Sequence, residues 1–144
     1  MTAIGDDGIT IRLLGPKDAA LVASAAALFD HPPLPDQTAV YLASERDFLW
    51  FAFADDAPVG FVSTVVVLHP DKPPQLFVTE LGVAETTRRR GIATRLMQTV
   101  VAFGRERALW PVWVVAEGDD AHAIAFYRSL SGLTEAGAVH FEWR

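Results

Sequence analysis

The chain has 144 residues, 51% of them hydrophobic and 21% charged, which predicts a single domain over residues 1–144 with a hydrophobic core and excludes a disordered chain. Its net charge of -6, with only two lysines, argues against nucleic acid as a partner, because binding a phosphate backbone needs many cations along one face. The absence of cysteine excludes disulfides and thiolate metal sites, and no histidine has the spacing of a metal ligand, so no metal is expected.

The first half of the chain predicts strands on either side of two helices. Ile9–Leu14 is apolar enough for a strand, and an alanine-rich helical pattern covers Lys17–Phe29. After a proline-rich break, Asp36 is a candidate N-cap for a second helix that ends near Ala43. Aromatic and β-branched residues then predict a hairpin with an acidic turn, formed by strands Phe48–Ala54 and Val59–Leu68.

The second half predicts a buried strand followed by helices that cross over to further strands. Its elements are strand Gln75–Val83, helix Gly91–Arg107, strand Pro111–Ala116, a helix that ends near Leu130 and a last strand Ala138–Trp143. Glu80 is the sole charge in the first of these strands. The complete order predicts a mixed α/β domain, with parallel pairing where a helix connects two strands.

Three arginines, Arg88, Arg89 and Arg90, stand directly before Gly91 and the helical pattern. A helix N-terminus already carries about half a positive charge and leaves N–H groups unpaired, so cations are unfavourable there unless an anion is present. The segment therefore predicts a phosphate site of backbone amides, in which small residues permit close approach. The alternative is a solvated basic turn. The pattern is neither a Walker A loop nor a dinucleotide fingerprint.

The residues around these arginines resemble a known signature. Arg88-x-x-Gly91-x-Ala93, after Glu80-Leu81-Gly82-Val83, resembles the acetyl-CoA motif of the GNAT N-acetyltransferases. Residues 123–130, which include Tyr127, resemble the tyrosine-bearing helix of that family. The resemblance covers about residues 48–127.

A narrower resemblance adds two more segments. Together with Gly118-Asp119-Asp120 and Val139-His140-Phe141-Glu142, the motif residues resemble the aminoglycoside 3-N-acetyltransferases of the GNAT type. This implies an aminoglycoside as the acceptor substrate.

The family resemblance implies a central mixed β-sheet that splays between its fourth and fifth strands and is flanked by about four helices. It implies that the pantetheine arm of acetyl-CoA lies between strands Gln75–Val83 and Pro111–Ala116, with the pyrophosphate on backbone amides. The residues implied to bind the cofactor are Leu81, Gly82, Val83, Arg88, Arg89, Arg90, Gly91, Ile92, Ala93, Thr94 and Asp120.

Glu80 is the candidate catalytic base. An acceptor amine is largely protonated at neutral pH and must lose a proton before it attacks a thioester. The same carboxylate can instead anchor the substrate or form a structural ion pair. Strand alternation predicts that Glu80 shares a face with Val78 and Gly82, away from Leu81 and Val83.

Tyr127 resembles the family tyrosine that protonates the departing CoA thiolate, with a core phenol as the alternative. Asp120 stands where many family members carry an asparagine, and an aspartate accepts but does not donate hydrogen bonds. Asp119 or Asp120 can cap the next helix or attract substrate. Glu142 and His140 share a face of the predicted last strand, where they line an amine site or form an exposed polar edge.

These observations predict transfer of an acetyl group from acetyl-CoA to a primary amine of a cationic small molecule, for which an acidic protein is suited. The alternatives are acetylation of a polyamine, another small amine or a protein amine, and a non-catalytic acyl-CoA-binding module. No apolar run reaches the roughly 18 residues that span a bilayer, so no membrane is expected as a partner. Residues 1–7 lack the cations of a secretory signal, so a cytoplasmic location is expected. Members of the resembled family often form dimers, so a homodimer is a possible assembly.

Overall fold

The computed structural model describes residues 2–4, 7–132 and 137–144. The strands in these ranges are β1 Thr2–Ile4, β2 Ile9–Leu13, β3 Asp47–Ala54, β4 Ala57–Val67, β5 Gln75–Val83 and β6 Val112–Val114. The α-helices are α1 Ala19–Ser24, α2 Pro35–Ala43, α3 Ile92–Glu106 and α4 Ala121–Ser129. Short 3-10 turns occupy Pro16–Asp18, Ala26–Leu28 and Glu85–Thr87.

The strands form one mixed sheet in the order β1-β2-β3-β4-β5-β6. Neighbours from β1 to β5 are antiparallel, whereas β5 and β6 are parallel. The parallel pairing joins only Leu76–Val78 to Val112–Val114. Thr79–Val83 therefore extend beyond it, and the prediction of a mixed sheet that opens between these two strands is confirmed.

The two faces of the sheet pack against different helices. On one face, Phe103 of α3 contacts Trp50 edge to face, with 5.0 Å between ring centres. On the other face, Val22 of α1 and Leu42 of α2 belong to a buried cluster with Phe61. The site residues on a strand are therefore directed to one helix layer or the other by their position in the alternation.

A β-bulge at Thr79 changes this alternation within β5. Val78 pairs with Thr64 and Glu80 pairs with Ser63, so Thr79 is an extra residue between two consecutive pairs. Since Ser63 and Thr64 point to opposite faces, Val78 and Glu80 do so too. The prediction that Glu80 shares a face with Val78 is wrong, because strict alternation does not anticipate the extra residue.

The helices before the hairpin differ from their predicted limits. The α-helical part of the predicted Lys17–Phe29 helix is confined to Ala19–Ser24, and 3-10 turns lie on either side. Helix α2 begins with Pro35 in its first turn, where a missing N–H costs nothing and the fixed φ suits the helix. Asp36 therefore lies inside the helix, and its prediction as the N-cap is wrong.

The two ends of the chain differ most from the prediction. The predicted strand Ala138–Trp143 is wrong, since residues 137–144 have no regular secondary structure. Its apolar side chains Val139, Phe141 and Trp143 are 71%, 74% and 88% exposed. Alternation makes a strand only where a partner supplies hydrogen bonds, and no described strand pairs here. Conversely, β1 was not predicted, and it pairs with β2.

The chain divides into two compact units, which are Met1–Val114 and Val115–Arg144. The first contains the sheet with α1, α2 and α3, and the second contains α4. The single domain, the homodimer and the cytoplasmic location stay predictions. Within the described ranges, none of the helices is both long and apolar enough to cross a membrane.

Candidate functional site

The start of α3 presents a row of backbone N–H groups. Gly91 caps the helix with φ 72°, and Arg95 is the first helical residue whose N–H finds a protein acceptor, the Gly91 carbonyl at 3.1 Å. Within the described chain, the N–H groups of residues 89–94 have no protein acceptor, and we call them the amide row. Unpaired amides at the positive end of a helix dipole bind phosphate groups, so the row fits a pyrophosphate.

Gly91 leaves the approach to the amide row open. A Cβ built on this residue meets no atom within 4 Å, so packing does not require a glycine here. The backbone does, because a φ of 72° lies in the region that side chains disfavour. Arg89 occupies the same region with φ 68°, and such strain is concentrated at ligand sites.

The three arginines have different environments. The Arg88 guanidinium lies 3.8 Å from the Glu85 carboxylate, and both side chains are exposed. Arg90 Nη2 donates to the Asp7 carbonyl oxygen at 3.3 Å. Arg89 is exposed, and its side chain has no partner among the described residues. Arg89 is therefore the cation of the three that is free to meet an anion at the amide row.

The last residues of β5, Leu81–Val83, follow the bulge at Thr79, and their side chains alternate between the two faces of the sheet. Leu81 and Val83 pair with β4 residues on the α3 face, whereas Gly82 pairs with Phe61 on the opposite face. The prediction that Glu80 and Gly82 share a face is confirmed. A Cβ on Gly82 would lie 2.8 Å from the Phe61 ring, so this glycine is required by packing.

A cavity of about 470 Å³ lies on the face of the sheet that carries Glu80, a volume suited to a small molecule. Polar residues that line it include Asp30, Gln37, Tyr41, Ser63, Thr79 and Glu80. Among the described residues that line it, two are carboxylates and none is a lysine or arginine. The cavity therefore attracts cations. No cluster of His, Asp or Glu that could hold a metal occurs in the described ranges.

Glu80 is exposed in this cavity. No hydrogen bond or ion pair joins its carboxylate to the rest of the described chain. The neighbouring Thr79 hydroxyl instead pairs with Ser63, at 2.7 Å between oxygens. Among the alternatives for Glu80, the structural ion pair thus lacks a cationic partner in this part of the chain, whereas base and substrate anchor both remain predictions.

Tyr41 is a cavity residue that was not predicted. Its hydroxyl donates to the Phe48 carbonyl oxygen at 2.7 Å and has the Thr64 carbonyl oxygen at 3.3 Å, which fastens α2 to the sheet. Burial, followed by the charge of Asp47, raises the pKa of Tyr41 well above its usual value of 10.0, so it remains a neutral donor. The sequence could have indicated Tyr41 through its position four residues after Gln37, because residues with this spacing lie on the same face of a helix.

In the second unit, Asp120 caps α4. Its Oδ1 accepts from the Ala123 N–H at 3.0 Å, which confirms the capping prediction for Asp120. Burial, and then the negative charge of Asp120, raises the pKa of the half-buried Tyr127. Its hydroxyl therefore stays protonated at neutral pH, as a proton donor must.

The remaining predicted substrate residues also belong to the second unit. Asp119 is exposed next to the cap. Glu142 is exposed and accepts from Arg144 Nη2 at 3.1 Å, in a segment without a strand face to share with His140. The substrate role of Asp119 and Glu142, the cofactor role of Asp120 and the catalytic role of Tyr127 stay predictions.

Comparison with known proteins points to one group. The family described as the acetyltransferase (GNAT) family matches residues 19–132. Human N-acetyltransferase 8 is 32% identical over 111 residues, 75% of this chain and 48% of that protein. Mycothiol acetyltransferase of Salinispora tropica is 30% identical over 148 residues, 94% of this chain and 48% of that protein. The chain spans about half the length of these curated relatives.

Solved structures show the same fold. An aminoglycoside acetyltransferase from an uncultured soil metagenomic sample, in complex with sisomicin, matches with a TM-score of 0.89 over 96% of this chain and 97% of that chain. The two sequences are 22% identical. The likeness therefore shows the fold.

Proposed function

The chain belongs to the GNAT family of acetyltransferases, and from this premise we propose that it transfers an acetyl group from acetyl-CoA to a primary amine of a cationic small molecule. The leading acceptor is an aminoglycoside, acetylated at its 3-amino group. The observation that carries the proposal is the 470 Å³ cavity beside Glu80, whose described lining has carboxylates and no lysine or arginine. A polyamine or a protein amine is the alternative acceptor.

The cofactor is held through the amide row. The N–H groups of residues 89–94 donate hydrogen bonds to the pyrophosphate oxygens, and Arg89 supplies a further positive charge. The backbone of Leu81 and Val83 lies where β5 has extended beyond its pairing with β6, and its free polar groups are suited to the amides of an extended ligand. Acetyl-CoA, when bound, supplies its acetyl group as an activated thioester.

The acceptor side is handled by the cavity. Asp30 and Glu80 attract the ammonium groups of the substrate. A Glu80 oxygen then takes one proton from the reacting ammonium, directly or through a water, which leaves a neutral amine able to attack. The amine nitrogen would bond to the thioester carbon as the C–S bond breaks, and the Tyr127 hydroxyl would give its proton to the departing sulfur. The second proton lost by the nitrogen would pass to solvent, from which the phenolate would regain a proton. The raised pKa of Tyr127 favours the protonated form before that step.

Release of free CoA thiol across a panel of aminoglycosides, polyamines and peptide amines tests the substrate. Turnover with aminoglycosides, and mass spectrometry of the product at the 3-amino group, is the expected result. Turnover confined to polyamines or peptides would replace the acceptor but keep the reaction. Binding of acetyl-CoA without turnover on any amine would favour the non-catalytic module.

A pair of variants tests the assigned base. Glu80→Gln is expected to lower kcat/KM by about 10²-fold or more, the usual contribution of a general base, with a loss in kcat. Asp30→Asn is the matched control, because it removes a charge from the same cavity without removing a base. It is expected to raise the acceptor KM and leave kcat near its original value. If Glu80→Gln behaves in the same way, Glu80 is an anchor.

A further inference from the structure

Two arginines, Arg90 within the amide row and Arg95 directly after it, bind one turn of the chain. Arg95 Nη1 donates to Asp7 Oδ1 at 3.1 Å, and its Nη2 donates to the Ile9 carbonyl oxygen at 3.0 Å. Arg90 Nη2 donates to the Asp7 carbonyl oxygen at 3.3 Å. Asp7 Oδ1 also accepts from the Ile9 N–H at 3.1 Å. The turn at the start of β2 thus binds Arg90, which directly precedes the Gly91 cap, and Arg95, which lies four residues after it.

The hydrogen bonds of Arg95 fix the orientation of its guanidinium and join residues that are far apart in sequence. Asp7 and Arg95 are 88 positions apart, so the contact exists only in the folded chain. The Arg95 side chain is 25% exposed and has acceptors at both terminal nitrogens. Surface arginines with one loose partner contribute little, whereas a guanidinium with two aligned acceptors has a fixed orientation.

The position of these arginines explains why they need partners. Arg90 directly precedes the cap, and Arg95 lies in the first turns of α3, where the helix dipole disfavours positive charge. The Asp7 carboxylate offsets the charge of Arg95, and the Asp7 carbonyl oxygen accepts from Arg90. The same contacts restrict the backbone between the two arginines, which is the backbone that carries the unpaired N–H groups.

We propose that Asp7 is a positioning residue for the cofactor: its carboxylate holds Arg95, and it also holds the turn whose carbonyl oxygen accepts from Arg90, so that the amide row is ordered before the pyrophosphate arrives. The inference rests on the proposed function. A pre-ordered loop binds more tightly because the entropy of ordering has already been spent in folding. Asp7 itself does not contact the ligand in this scheme, and its effect is transmitted by the two arginines.

The charge of Asp7 is available throughout the neutral range. The Ile9 N–H, and then the positive charge of Arg95, lower the pKa of Asp7 below its usual value of 3.8. A carboxyl group with a lowered pKa in the folded state stabilises it above the unfolded pKa, and this contribution is lost as the pH falls below that value. Cofactor binding is therefore expected to be independent of Asp7 titration near pH 7.

Titration calorimetry with CoA tests the proposal on the full chain. Asp7→Ala is expected to weaken CoA binding by about two- to tenfold, because it releases the Arg95 side chain, which must then be ordered on binding, whereas the Asp7 carbonyl oxygen that accepts from Arg90 is retained. Asp7→Asn keeps an oxygen acceptor but loses the charge, and it is expected to have a smaller effect. In steady-state assays the acetyl-CoA KM rises for both variants, while kcat at saturation and the acceptor KM stay unchanged.

Asp18→Ala is the matched control. It removes an ion pair to Arg12 with the same 3.1 Å distance but without a contact to the loop before α3. It is expected to lower the melting temperature and leave the CoA affinity unchanged. An equal loss of affinity in Asp18→Ala and Asp7→Ala would mean that general destabilisation is responsible and would overturn the proposal.

Two further outcomes separate the inference from the proposed function. If the unmodified chain binds CoA and Asp7→Ala binds it equally well or more tightly, the positioning role is overturned and the acetyltransferase proposal stands. If the unmodified chain binds no CoA, both are overturned. In the double variant Asp7→Ala, Arg95→Ala, the losses are expected to be less than additive, because both changes break one contact.

Discussion

Replacing Gly91 is expected to weaken acetyl-CoA binding more than removing the charge of Arg89. Gly91 has φ 72°, and a side chain in this left-handed region costs about 1–2 kcal/mol. No atom lies within 4 Å of an added Cβ, so Gly91→Ala carries that backbone cost and no clash within the protein. The fold is thus expected to survive with its unfolding free energy lowered by about 1–2 kcal/mol.

The effect on binding has a different origin. If the backbone at Gly91 leaves the left-handed region, the amide row turns away from the pyrophosphate. Each hydrogen bond to a charged group is worth about 1.5–3 kcal/mol, so losing one weakens CoA binding by roughly 10- to 150-fold. Arg89→Ala removes an exposed charge worth about 0.2–1 kcal/mol, or at most about fivefold.

Calorimetry with CoA and urea unfolding of the same proteins separate affinity from stability. Gly137→Ala is a control, because Gly137 also has a positive φ, 97°, and open surroundings but lies far along the chain from the amide row. The control is expected to leave CoA affinity unchanged. A larger loss of affinity in Arg89→Ala than in Gly91→Ala would refute the reasoning, since side-chain charge would then dominate over backbone recognition.

Three substitutions test the scaffold around the site. Tyr41→Phe is expected to lower the unfolding free energy by about 1 kcal/mol, because the Phe48 carbonyl loses its donor. The pKa of Tyr41 is raised from 10.0, so the folded chain holds this proton more tightly than the unfolded chain does. The stability of the unmodified chain therefore falls as the pH rises above 10. An equally steep fall in Tyr41→Phe would contradict the assignment. Thr64→Val is expected to stabilise the chain by about 1 kcal/mol in urea unfolding, because the fully buried Thr64 hydroxyl has no hydrogen-bond partner among the described residues; destabilisation would contradict this reasoning. Ala108→Gly is expected to raise stability by about 1 kcal/mol, because Ala108 has φ 56° at the end of α3; an unchanged melting temperature would show that the strain is relieved elsewhere.

Much of the fold could be predicted because the local sequence pattern and the tertiary contacts favour the same secondary structure. The limits of β5 were predicted as Gln75–Val83 because an apolar segment there is bounded by prolines and a small-residue turn. The start of α3 was predictable from the positions of Gly91 and the arginines. These features depend on neighbours in sequence, so the sequence alone contains the signal.

The features that were missed depend on distant partners. The bulge at Thr79 is a property of the β4 and β5 register, and no residue type marks it. The contacts of Asp7 with Arg95 join opposite ends of the first unit. The predicted strand at Val139 and Trp143 has the right alternation, but a strand also needs a partner with free hydrogen-bonding groups.

The bulge at Thr79 has a consequence for changes in the length of β5. Deleting Thr79 would leave Val78 opposite Thr64 and Glu80 opposite Ser63, so each remaining side chain would keep its face. Deleting any residue between Glu80 and Val83 would instead move every residue that follows to the other face of the sheet. Relatives that are one residue shorter in this strand are therefore expected to lack the residue that corresponds to Thr79.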